Sequence, residues 1–390
     1  MRGRKAAAEV VDRGRAKKLA AVAKRFEAFR PAREVLSRVR AVPTCFVDFD
    51  HATRVGGLPI ERFSLIHGRS NEGKTLATIG FEGSFLARDH FVLHVDAERT
   101  TPITWVEGLI GQYADHPRYF AIRPDNYEQT MAEVRVFLNN VAEARREGEV
   151  DEETGALVVV DSLKKLVPRD LMKEILKAEQ DASEVKGGND RGGQLKAKMN
   201  AAWMDELVPM LERAGAGFIA VAREMQDPDA KPWAKKFGND YKVGGGSAIY
   251  YDASLVMRVE REKFVTHGEG ADAKVYGERH RLTIKKTKVA AKEGKVQVSH
   301  FHSSNGVLVP FGFDRARDVL DLALRVGVVS KSGSWYADES LGERIAAGEH
   351  NVVKVLAGNA EWLGAIEART REKFAEVEPV EHDEETGEVA

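Results

Sequence analysis

The octapeptide GRSNEGKT constrains the fold of this chain more than any other stretch. It matches the pattern G-x-x-x-x-G-K-[ST], in which glycines let backbone N–H groups turn toward phosphate oxygens. The apolar run FSLI precedes it and the helix-compatible stretch LATIGFEGSFLA follows it, so the strand–loop–helix context that the pattern requires is present. We therefore predict a phosphate-binding loop made of Gly68, Arg69, Ser70, Asn71, Glu72, Gly73, Lys74 and Thr75.

Three side chains in and around this loop suit a nucleoside triphosphate with Mg²⁺. Lys74 supplies a point charge for the β- and γ-phosphates, and the Thr75 hydroxyl can ligate Mg²⁺. Asp161 ends the apolar run LVVVD, where open α/β sheets place ligand groups, and we predict it as the second magnesium residue. An acid in this position can also cap the next helix.

Hydrolysis needs a group that orients water. Glu98 follows the apolar run FVLHVD and is the candidate general base, with a plain surface carboxylate as the alternative. Glu72 is an unusual negative charge inside a phosphate loop, and we expect it to point to solvent or to a neighbouring subunit.

Composition bounds the class of protein. The chain has 390 residues, enough for two or three domains, and its formal charge of -2 means that any binding of nucleic acid must come from local patches. Cys45 is the only cysteine, which excludes a disulfide framework and a cysteine-based zinc cluster. No apolar run approaches the length of roughly 20 residues that a membrane span needs, so a soluble cytoplasmic protein is expected.

Apolar runs alternate with helical periodicity along the middle of the chain. FVLHVD, RYFAI, LVVVD and GFIAVA are predicted as buried strands, separated by stretches with apolar residues at helical spacing. This alternation predicts an α/β fold with a mainly parallel central sheet. After Ser254 the runs SLVMRVE, RLTIKKTKV and VQVSHF predict an antiparallel extension of that sheet.

The two ends of the chain differ in charge. Residues 1–42 form a basic, helix-compatible arm, and residues 375–390 form an acidic tail that we expect to be disordered. Both ends can equally be explained by solubility and a solvated helix face. Between them we place a core at residues 43–310 and a small C-terminal α+β domain at residues 311–374.

Several motifs in order resemble the RecA family of homologous recombinases: GGLPIERFSLIHGRSNEGKT, VDAE, VVVDS and GGGSAIYYDAS. The acidic tail and the segment FGFDRARDVLDLALRVGVVSKSGSWYADE look especially like the phage UvsX branch. The resemblance implies a RecA-like P-loop core and a DNA-dependent ATPase that uses ATP and Mg²⁺. It further implies a filament on single-stranded DNA, with ATP between subunits, that promotes homologous pairing and strand exchange with duplex DNA. Mediator and single-strand-binding proteins are possible partners, in the host cytoplasm if a phage encodes the chain.

The resemblance also assigns residues. It gives Glu98 the role of activating water. It also matches Lys286 and Lys288 to a K-x-K element that reaches the nucleotide of the adjacent subunit. Without the resemblance, these lysines would be interpreted as residues of an exposed strand edge. Arg223 stands where the family has a Gln, or a His in the UvsX branch, that senses the γ-phosphate, and an arginine can bind that phosphate directly. Either Thr104 or Trp105 is expected to lie on the adenine.

Two DNA-binding loops are expected from the resemblance. The first lies between Val167 and Gly193, and the second spans Glu224 to Gly246. The second interleaves cations with aromatic rings, a composition suited to sequence-tolerant binding of single strands, although a substrate lid can have the same composition. Its candidate contacts are Lys231, Trp233, Lys235, Lys236, Phe237, Tyr241, Lys242, Gly244 and Gly245.

Other readings stay open at this point. The pair His300 and His302 in SHFHSS invites a metal site, but with no further ligand nominated we predict a surface pair. A hexameric helicase on the same core would displace strands from a forked duplex. A regulatory ATPase on this core would act on a protein partner without dependence on DNA.

Overall fold

Strands and helices alternate from Arg62 to Gln226, as the apolar runs predict. The computed structural model describes residues 39–180, 188–227, 229–232, 241–245, 247–268, 273–290 and 297–375. The predicted basic arm and acidic tail therefore lie almost entirely outside the described residues. None of the helices in the described part is long and apolar enough to cross a bilayer.

The elements are as follows. The first are β1 (Ala41–Val42), α1 (Val47–Thr53), β2 (Leu58–Pro59), β3 (Arg62–Gly68), α2 (Lys74–Leu86) and β4 (Phe91–Asp96). Next come α3 (Ile103–Ile110), β5 (Tyr119–Ile122), α4 (Tyr127–Arg146), β6 (Ala156–Asp161), α5 (Arg169–Gln180), α6 (Gly188–Ala214), β7 (Ala216–Gln226), β8 (Tyr241–Val243) and α7 (Ser247–Asp252). The last are β9 (Leu255–His267), β10 (Lys274–Thr287), β11 (Gln297–Ser304), β12 (Gly312–Phe313), α8 (Arg315–Arg325), β13 (Val329–Ser332), β14 (Trp335–Asp338), β15 (Glu343–Ala347), α9 (Glu349–Ala357) and α10 (Ala360–Ala375).

A large mixed sheet runs through the described residues in the order β12-β11-β10-β9-β3-β7-β6-β4-β5, with β8 paired to β7. From β9 to β5 all neighbours are parallel, and β10, β11 and β12 follow in antiparallel pairs. The predicted parallel sheet and its antiparallel extension are both confirmed. The extension is joined through β9, which pairs in parallel with β3.

Alternate residues of the parallel strands enter two different hydrophobic cores. In β6, Leu157 and Val159 pack with α2 on one face, whereas Val158 and Val160 pack with α4 and α6 on the other. This burial on both faces explains the continuous apolar runs in the sequence. The same alternation decides which face each polar residue takes at the strand ends.

A third core belongs to the C-terminal elements. β13, β14 and β15 form an antiparallel sheet, and α8, α9 and α10 contribute most of the other buried residues, joined by Val47 and Val309. This is the mixed α+β arrangement expected for the region.

One predicted loop is mostly helical. The segment from Val167 to Gly193 contains α5 and the start of α6, with residues 181–187 outside the described residues. Met172, Ile175 and Leu176 recur at helical spacing in α5 and are exposed. The spacing of these apolar residues indicates a helix, but the glycine-rich stretch KGGNDRGG that follows favours an irregular loop, and the loop was the prediction.

Candidate functional site

The strands β3, β4, β6 and β7 end at one edge of the sheet. In the register, Asp96 lies opposite Asp161, and Gly68 lies opposite Arg223. Parallel strands bring the residues that follow them to the same edge, so segments far apart in sequence meet there. The predicted phosphate loop lies at this edge, and so do the two predicted acids, Asp161 and Glu98.

The phosphate loop leads directly into α2. Gly73 has φ 96°, which favours glycine, and α2 begins at Lys74 with no side chain capping its N–H groups. A Cβ on Gly73 would lie 2.7 Å from Nδ1 of His280, so the loop passes too close to β10 for any larger residue. The free N–H groups and the positive end of the helix dipole make this an anion-binding site.

Lys74 is buried at the mouth of this loop with 9% of its surface exposed. Its Nζ donates to the Arg69 carbonyl at 2.5 Å, and among the described residues no carboxylate lies within ion-pairing distance. Burial lowers the pKa of the ammonium, because the charge has lost water without gaining a paired anion. An ammonium in this state is prepared to receive an anionic ligand.

Thr75 and Asp161 lie together beside the loop. The Thr75 hydroxyl donates to Oδ2 of Asp161 at 2.5 Å, and burial raises the pKa of that carboxyl. A hydroxyl and a carboxylate at this separation are the hard oxygen donors that Mg²⁺ takes beside phosphate. The residues therefore fit the predicted metal, and Asp161 makes no cap to the next helix among the described hydrogen bonds.

Glu98 faces the same space and is held from two sides. The Ser162 hydroxyl donates to its Oε1 at 2.6 Å, and Arg223 Nη2 lies 2.9 Å from Oε1 and 2.6 Å from Oε2. Burial raises the pKa of Glu98, but the hydrogen bonds from Ser162 and Arg223 outweigh it and lower the pKa overall. The carboxylate is ionised and paired with a cation.

These groups line a cavity of about 370 Å³. Trp105 lines it, whereas Thr104 is exposed and does not. Glu278 and His280 of β10 also line it and were not predicted, because only the register of the long β9–β10 pair brings them to the loop. The full lining is Ser70, Asn71, Gly73, Lys74, Thr75, Leu76, Glu98, Thr100, Thr101, Trp105, Asp161, Arg223, Glu278 and His280.

The largest cavity described here is not the candidate site. A cavity of about 950 Å³ lies at the amino ends of the strands, where Arg88, His90 and Arg118 line it, and it contains none of the predicted residues. The smaller cavity has the start of α2, the ammonium of Lys74 that no described carboxylate pairs with, and the hydroxyl–carboxylate pair of Thr75 and Asp161. Chemistry therefore identifies the functional edge of the sheet.

Comparison with known proteins decides the family. The RecA N-terminal domain model matches residues 27–307, and the RecA C-terminal domain model matches residues 317–375. The chain belongs to the RecA family. The RecA protein of Bifidobacterium longum is 26% identical to it, over 90% of this chain and 77% of that protein. The RecA protein of Aquifex pyrophilus is 27% identical, over 93% of this chain and 92% of that protein. That of Geobacter sulfurreducens is 27% identical over 87% of both chains.

Membership in the RecA family carries the activity with it. The chain is an ATP-dependent DNA recombinase and a DNA-dependent ATPase that uses ATP with Mg²⁺. It binds single-stranded and duplex DNA and associates with itself in filaments.

The two lysines matched to the RecA K-x-K element lie at the end of β10. Nζ of Lys286 donates to the carbonyls of Tyr250 and Tyr251, at 2.8 and 2.6 Å, and Nζ of Lys288 donates to that of Tyr251 at 2.8 Å. They thus bind the last carbonyls of α7, the favourable end of a helix for a cation. They lie outside the cavity of their own chain.

The second expected DNA loop begins as a hairpin. Glu224–Gln226 of β7 pair with Tyr241–Val243 of β8, and we call this the β7–β8 hairpin. Lys231 is exposed, and Lys242 is exposed and pairs with Asp227 at 2.8 Å. Trp233, Lys235, Lys236 and Phe237 lie outside the described residues. Gly244 donates its N–H to the Arg223 carbonyl, and Gly245 has φ 105°.

A buried cluster of ionisable side chains supports the hairpin. Arg258 donates to Glu224 at 2.7 and 3.1 Å, and His67 Nδ1 lies 2.9 Å from the same carboxylate. The guanidinium of Arg258 stacks 4.5 Å from the centre of the Tyr241 ring. Tyr241, predicted as a base-stacking ring, is therefore packed at the foot of the hairpin in this structure.

Two expectations about side-chain placement need correction. The Glu72 carboxylate accepts the backbone N–H of Arg261 in β9, so it contacts its own chain instead of pointing to solvent or a neighbour. His302 is buried and bonds to Asp318 at 2.7 Å, while His300 is partly exposed beside Asp48, so they are no surface pair. Within the described ranges, no group of three or more His, Cys, Asp or Glu side chains is arranged to hold a metal.

Proposed function

We propose that this recombinase hydrolyses ATP at a site shared between neighbouring subunits, with Glu98 as the general base and Lys286 and Lys288 supplied by the neighbour. The observation that carries the proposal is the convergence on one cavity of Lys74, the Thr75–Asp161 pair and Glu98. Each has the state its role needs: an ammonium with no carboxylate partner in the described part of the chain, paired oxygen donors, and an ionised carboxylate.

The phosphate loop binds the triphosphate of the substrate. The N–H groups at the start of α2 donate to phosphate oxygens, and Lys74 exchanges the Arg69 carbonyl for a phosphate. Thr75 and Asp161 hold Mg²⁺, which when bound neutralises negative charge on the phosphates. Trp105, the aromatic residue that lines the cavity, stacks on the base.

Glu98 orients the attacking water and accepts its proton. Arg223 is positioned to bind the terminal phosphate, since its guanidinium faces the cavity beside Glu98. Lys286 and Lys288 sit at a helix terminus of their own chain with Lys288 exposed, and in a filament they turn to the phosphates of the next subunit. Charge delivered across an interface makes hydrolysis depend on assembly.

The β7–β8 hairpin and the residues it connects form the contact with single-stranded DNA. Lys231 and Lys242 are exposed cations on the described part of this segment, and cations of this kind follow the phosphates of a strand. Trp233, Phe237, Lys235 and Lys236, in the rest of the segment, supply further cations and the rings that separate bases.

Assembly uses the arm at residues 1–42, which docks on a neighbouring subunit. A receiving surface is the apolar groove of about 640 Å³ between β5 and α4, where Phe120 and Val136 are exposed. β5 is the last strand of the described sheet, so its free edge can pair with an added strand. An exposed apolar groove beside an open strand edge is typical of an interaction site.

Finer assignments complete the proposal. We place the chain in the phage UvsX branch, acting in the host cytoplasm with mediator and single-strand-binding proteins, on the strength of its acidic tail and the segment FGFDRARDVLDLALRVGVVSKSGSWYADE. The domain at residues 311–374 binds duplex DNA, and the tail at residues 375–390 competes with DNA for basic surfaces.

Mixing inactive variants tests the shared site. Glu98→Ala and Lys286→Ala subunits are each expected to lose DNA-stimulated hydrolysis. In an equimolar mixture, about a quarter of head-to-tail junctions join an intact Glu98 to an intact Lys286, and activity should recover to about that fraction of wild type. The matched control is a mixture of Glu98→Ala with Lys74→Ala, whose defects lie in the same half of the site as Glu98. Every subunit in this control mixture lacks either Glu98 or Lys74, so every junction has a defective nucleotide site beside intact lysines. Hydrolysis should therefore not recover. No recovery in the first mixture would show a site confined to one subunit.

A further inference from the structure

We propose that Glu72 and His280 are positioning residues that hold the phosphate loop on β9 and β10 in the shape that binds the triphosphate. The inference rests on the proposed binding of ATP at this loop and names the residues that order it. Glu72 occupies a variable position of the phosphate-loop pattern, and His280 comes 208 positions later in the chain. The order of the loop therefore depends on the antiparallel extension of the sheet.

The phosphate loop meets the β9–β10 pair at a β-bulge. The register shifts between Arg279 and His280, so β9 carries one extra residue, Glu262, at this point. A bulge disrupts the ladder locally and re-aims the side chains beside it. Here the N–H of Arg261 donates to the Glu72 carboxylate, and the His280 ring faces the loop.

His280 contacts the loop from β10. Its Nδ1 lies 3.2 Å from the Glu72 carbonyl oxygen and would lie 2.7 Å from a Cβ on Gly73. A carbonyl only accepts, so this bond needs the proton on Nδ1, which leaves Nε2 to accept from the Ser303 hydroxyl 3.3 Å away. The ring is buried and stacks on Phe301, with 4.8 Å between the ring centres and 14° between the planes. Burial lowers the pKa of His280, which favours the neutral ring.

These contacts act on the peptides that bind phosphate. Glu72 precedes Gly73 and Lys74, so its anchored carboxylate and carbonyl stand directly before the first turn of α2. At the other end of the loop, a Cβ on Gly68 would meet the carbonyl oxygen of Val259 in β9. The loop is thus held against the same pair of strands at both ends. A loop ordered before its ligand arrives binds more tightly, because binding then costs less conformational entropy.

Glu72 also carries a charge that opposes an anionic ligand. Its removal therefore has two effects of opposite sign. Loss of the negative charge should strengthen binding of phosphate, whereas loss of the bond to Arg261 should weaken it. Glu72→Gln removes the charge and keeps an oxygen that can accept the N–H, and Glu72→Ala removes both. The comparison of these two variants isolates the positioning effect.

Affinity for ADP with Mg²⁺, measured by titration calorimetry on the full-length chain without DNA, tests the proposal. Glu72→Ala should bind ADP about fivefold more weakly than Glu72→Gln, and His280→Ala about fivefold more weakly than wild type. His280→Asn, whose amide can donate from the place of Nδ1, should recover part of the loss. The matched control is Arg281→Gln, the next residue of β10, which bonds to Glu260 at 3.1 Å and should keep wild-type affinity.

Hydrolysis gives a second readout that a merely structural role would not produce. With saturating single-stranded DNA, His280→Ala should raise the KM for ATP by about the same factor and leave kcat within about twofold, since positioning affects binding of substrate and transition state alike. A fall in kcat with KM unchanged overturns the proposal. So does wild-type ADP affinity in His280→Ala, or equal affinity in Glu72→Ala and Glu72→Gln.

The outcome is separable from that of the proposed function. If ADP affinity changes as expected while the mixture of Glu98→Ala and Lys286→Ala does not recover, the positioning stands and the shared site is wrong. If Lys74→Ala keeps wild-type affinity for ADP, the loop is not the nucleotide site, and the proposed function and this inference are both overturned.

Discussion

The phosphate loop and the β7–β8 hairpin leave the sheet side by side, at Gly68 and Arg223, and are held in different ways. The loop is fixed by backbone geometry and close approach, with Gly73 at positive φ against His280. The hairpin is fixed by a buried ion pair between Glu224 and Arg258 and by a hydrogen bond between Glu224 and His67, whose pKa burial lowers. A site made of backbone is rigid and ready for phosphate, whereas one made of ion pairs can exchange partners.

We expect the largest effect from a substitution in the phosphate loop, and we expect it to change activity but not stability. Lys74→Ala should lower the rate of hydrolysis by about 10²–10³, as expected for loss of one preorganised charge at the transferred phosphate. Its free energy of unfolding should stay near that of wild type, because the buried ammonium has no carboxylate partner among the described residues. Hydrolysis assays and urea unfolding measure the two; a large loss of stability would break the comparison.

A substitution at the foot of the β7–β8 hairpin should instead lower stability. Glu224→Ala leaves the buried His67 without its hydrogen-bond partner and leaves Arg258 paired with Glu260 alone, and it should lower the free energy of unfolding by about 3 kcal/mol. The control is Glu206→Ala, which removes an exposed partner of Arg135 and should cost below about 1 kcal/mol. Equal effects in urea unfolding would mean that the buried group does not hold the hairpin.

The same group should make stability depend on pH. Burial raises the pKa of Glu224, but the hydrogen bonds from His67 and Arg258 outweigh it and lower the pKa to about 2, against a usual 4.5. Ionised Glu224 therefore stabilises the fold above about pH 4.5, and this stabilisation is lost as the pH falls toward 2. Unfolding midpoints of wild type should fall over this window more steeply than those of Glu224→Gln. Parallel curves would assign the acid sensitivity to other groups.

The smallest effect concerns the ring at the foot of the hairpin. Tyr241→Leu removes the stacking on Arg258 and should cost about 0.5–2 kcal/mol, whereas Tyr241→Phe keeps the ring and should cost less. Both should be followed by urea unfolding and by affinity for single-stranded DNA. If Tyr241→Phe and Tyr241→Leu lose DNA affinity with no change in stability, the ring serves DNA more than the hairpin.

The two regions also differ in how far the sequence predicts them. The loop, its flanking strand and helix, and the acids at neighbouring strand ends follow from local pattern, since parallel strands end at one edge. The pairing of Glu98 with Arg223 joins residues 125 positions apart and depends on side-chain direction, which no local pattern contains. His280 entered the cavity through a register with bulges, which the sequence does not specify.

The helix α5 shows the opposite failure. Its apolar spacing was present in the sequence, but the glycines after it favoured a loop. Glu72 and His302 were misplaced for a common reason: polar residues were assigned to solvent, although a backbone N–H in one case and a carboxylate in the other hold them within the fold.

Strand β10 carries His280, which touches the phosphate loop of its own subunit, and Lys286, which we propose acts at the site of the next subunit. Lys286 follows His280 by six positions, roughly 20 Å of extended chain. The strand between them is hydrogen-bonded to β9, and as far as Ile284 also to β11. Under the proposed sharing of sites, one strand of each subunit connects successive nucleotides along a filament. Turnover at one site should be felt at the next, and hydrolysis should rise with ATP concentration more steeply than for independent sites.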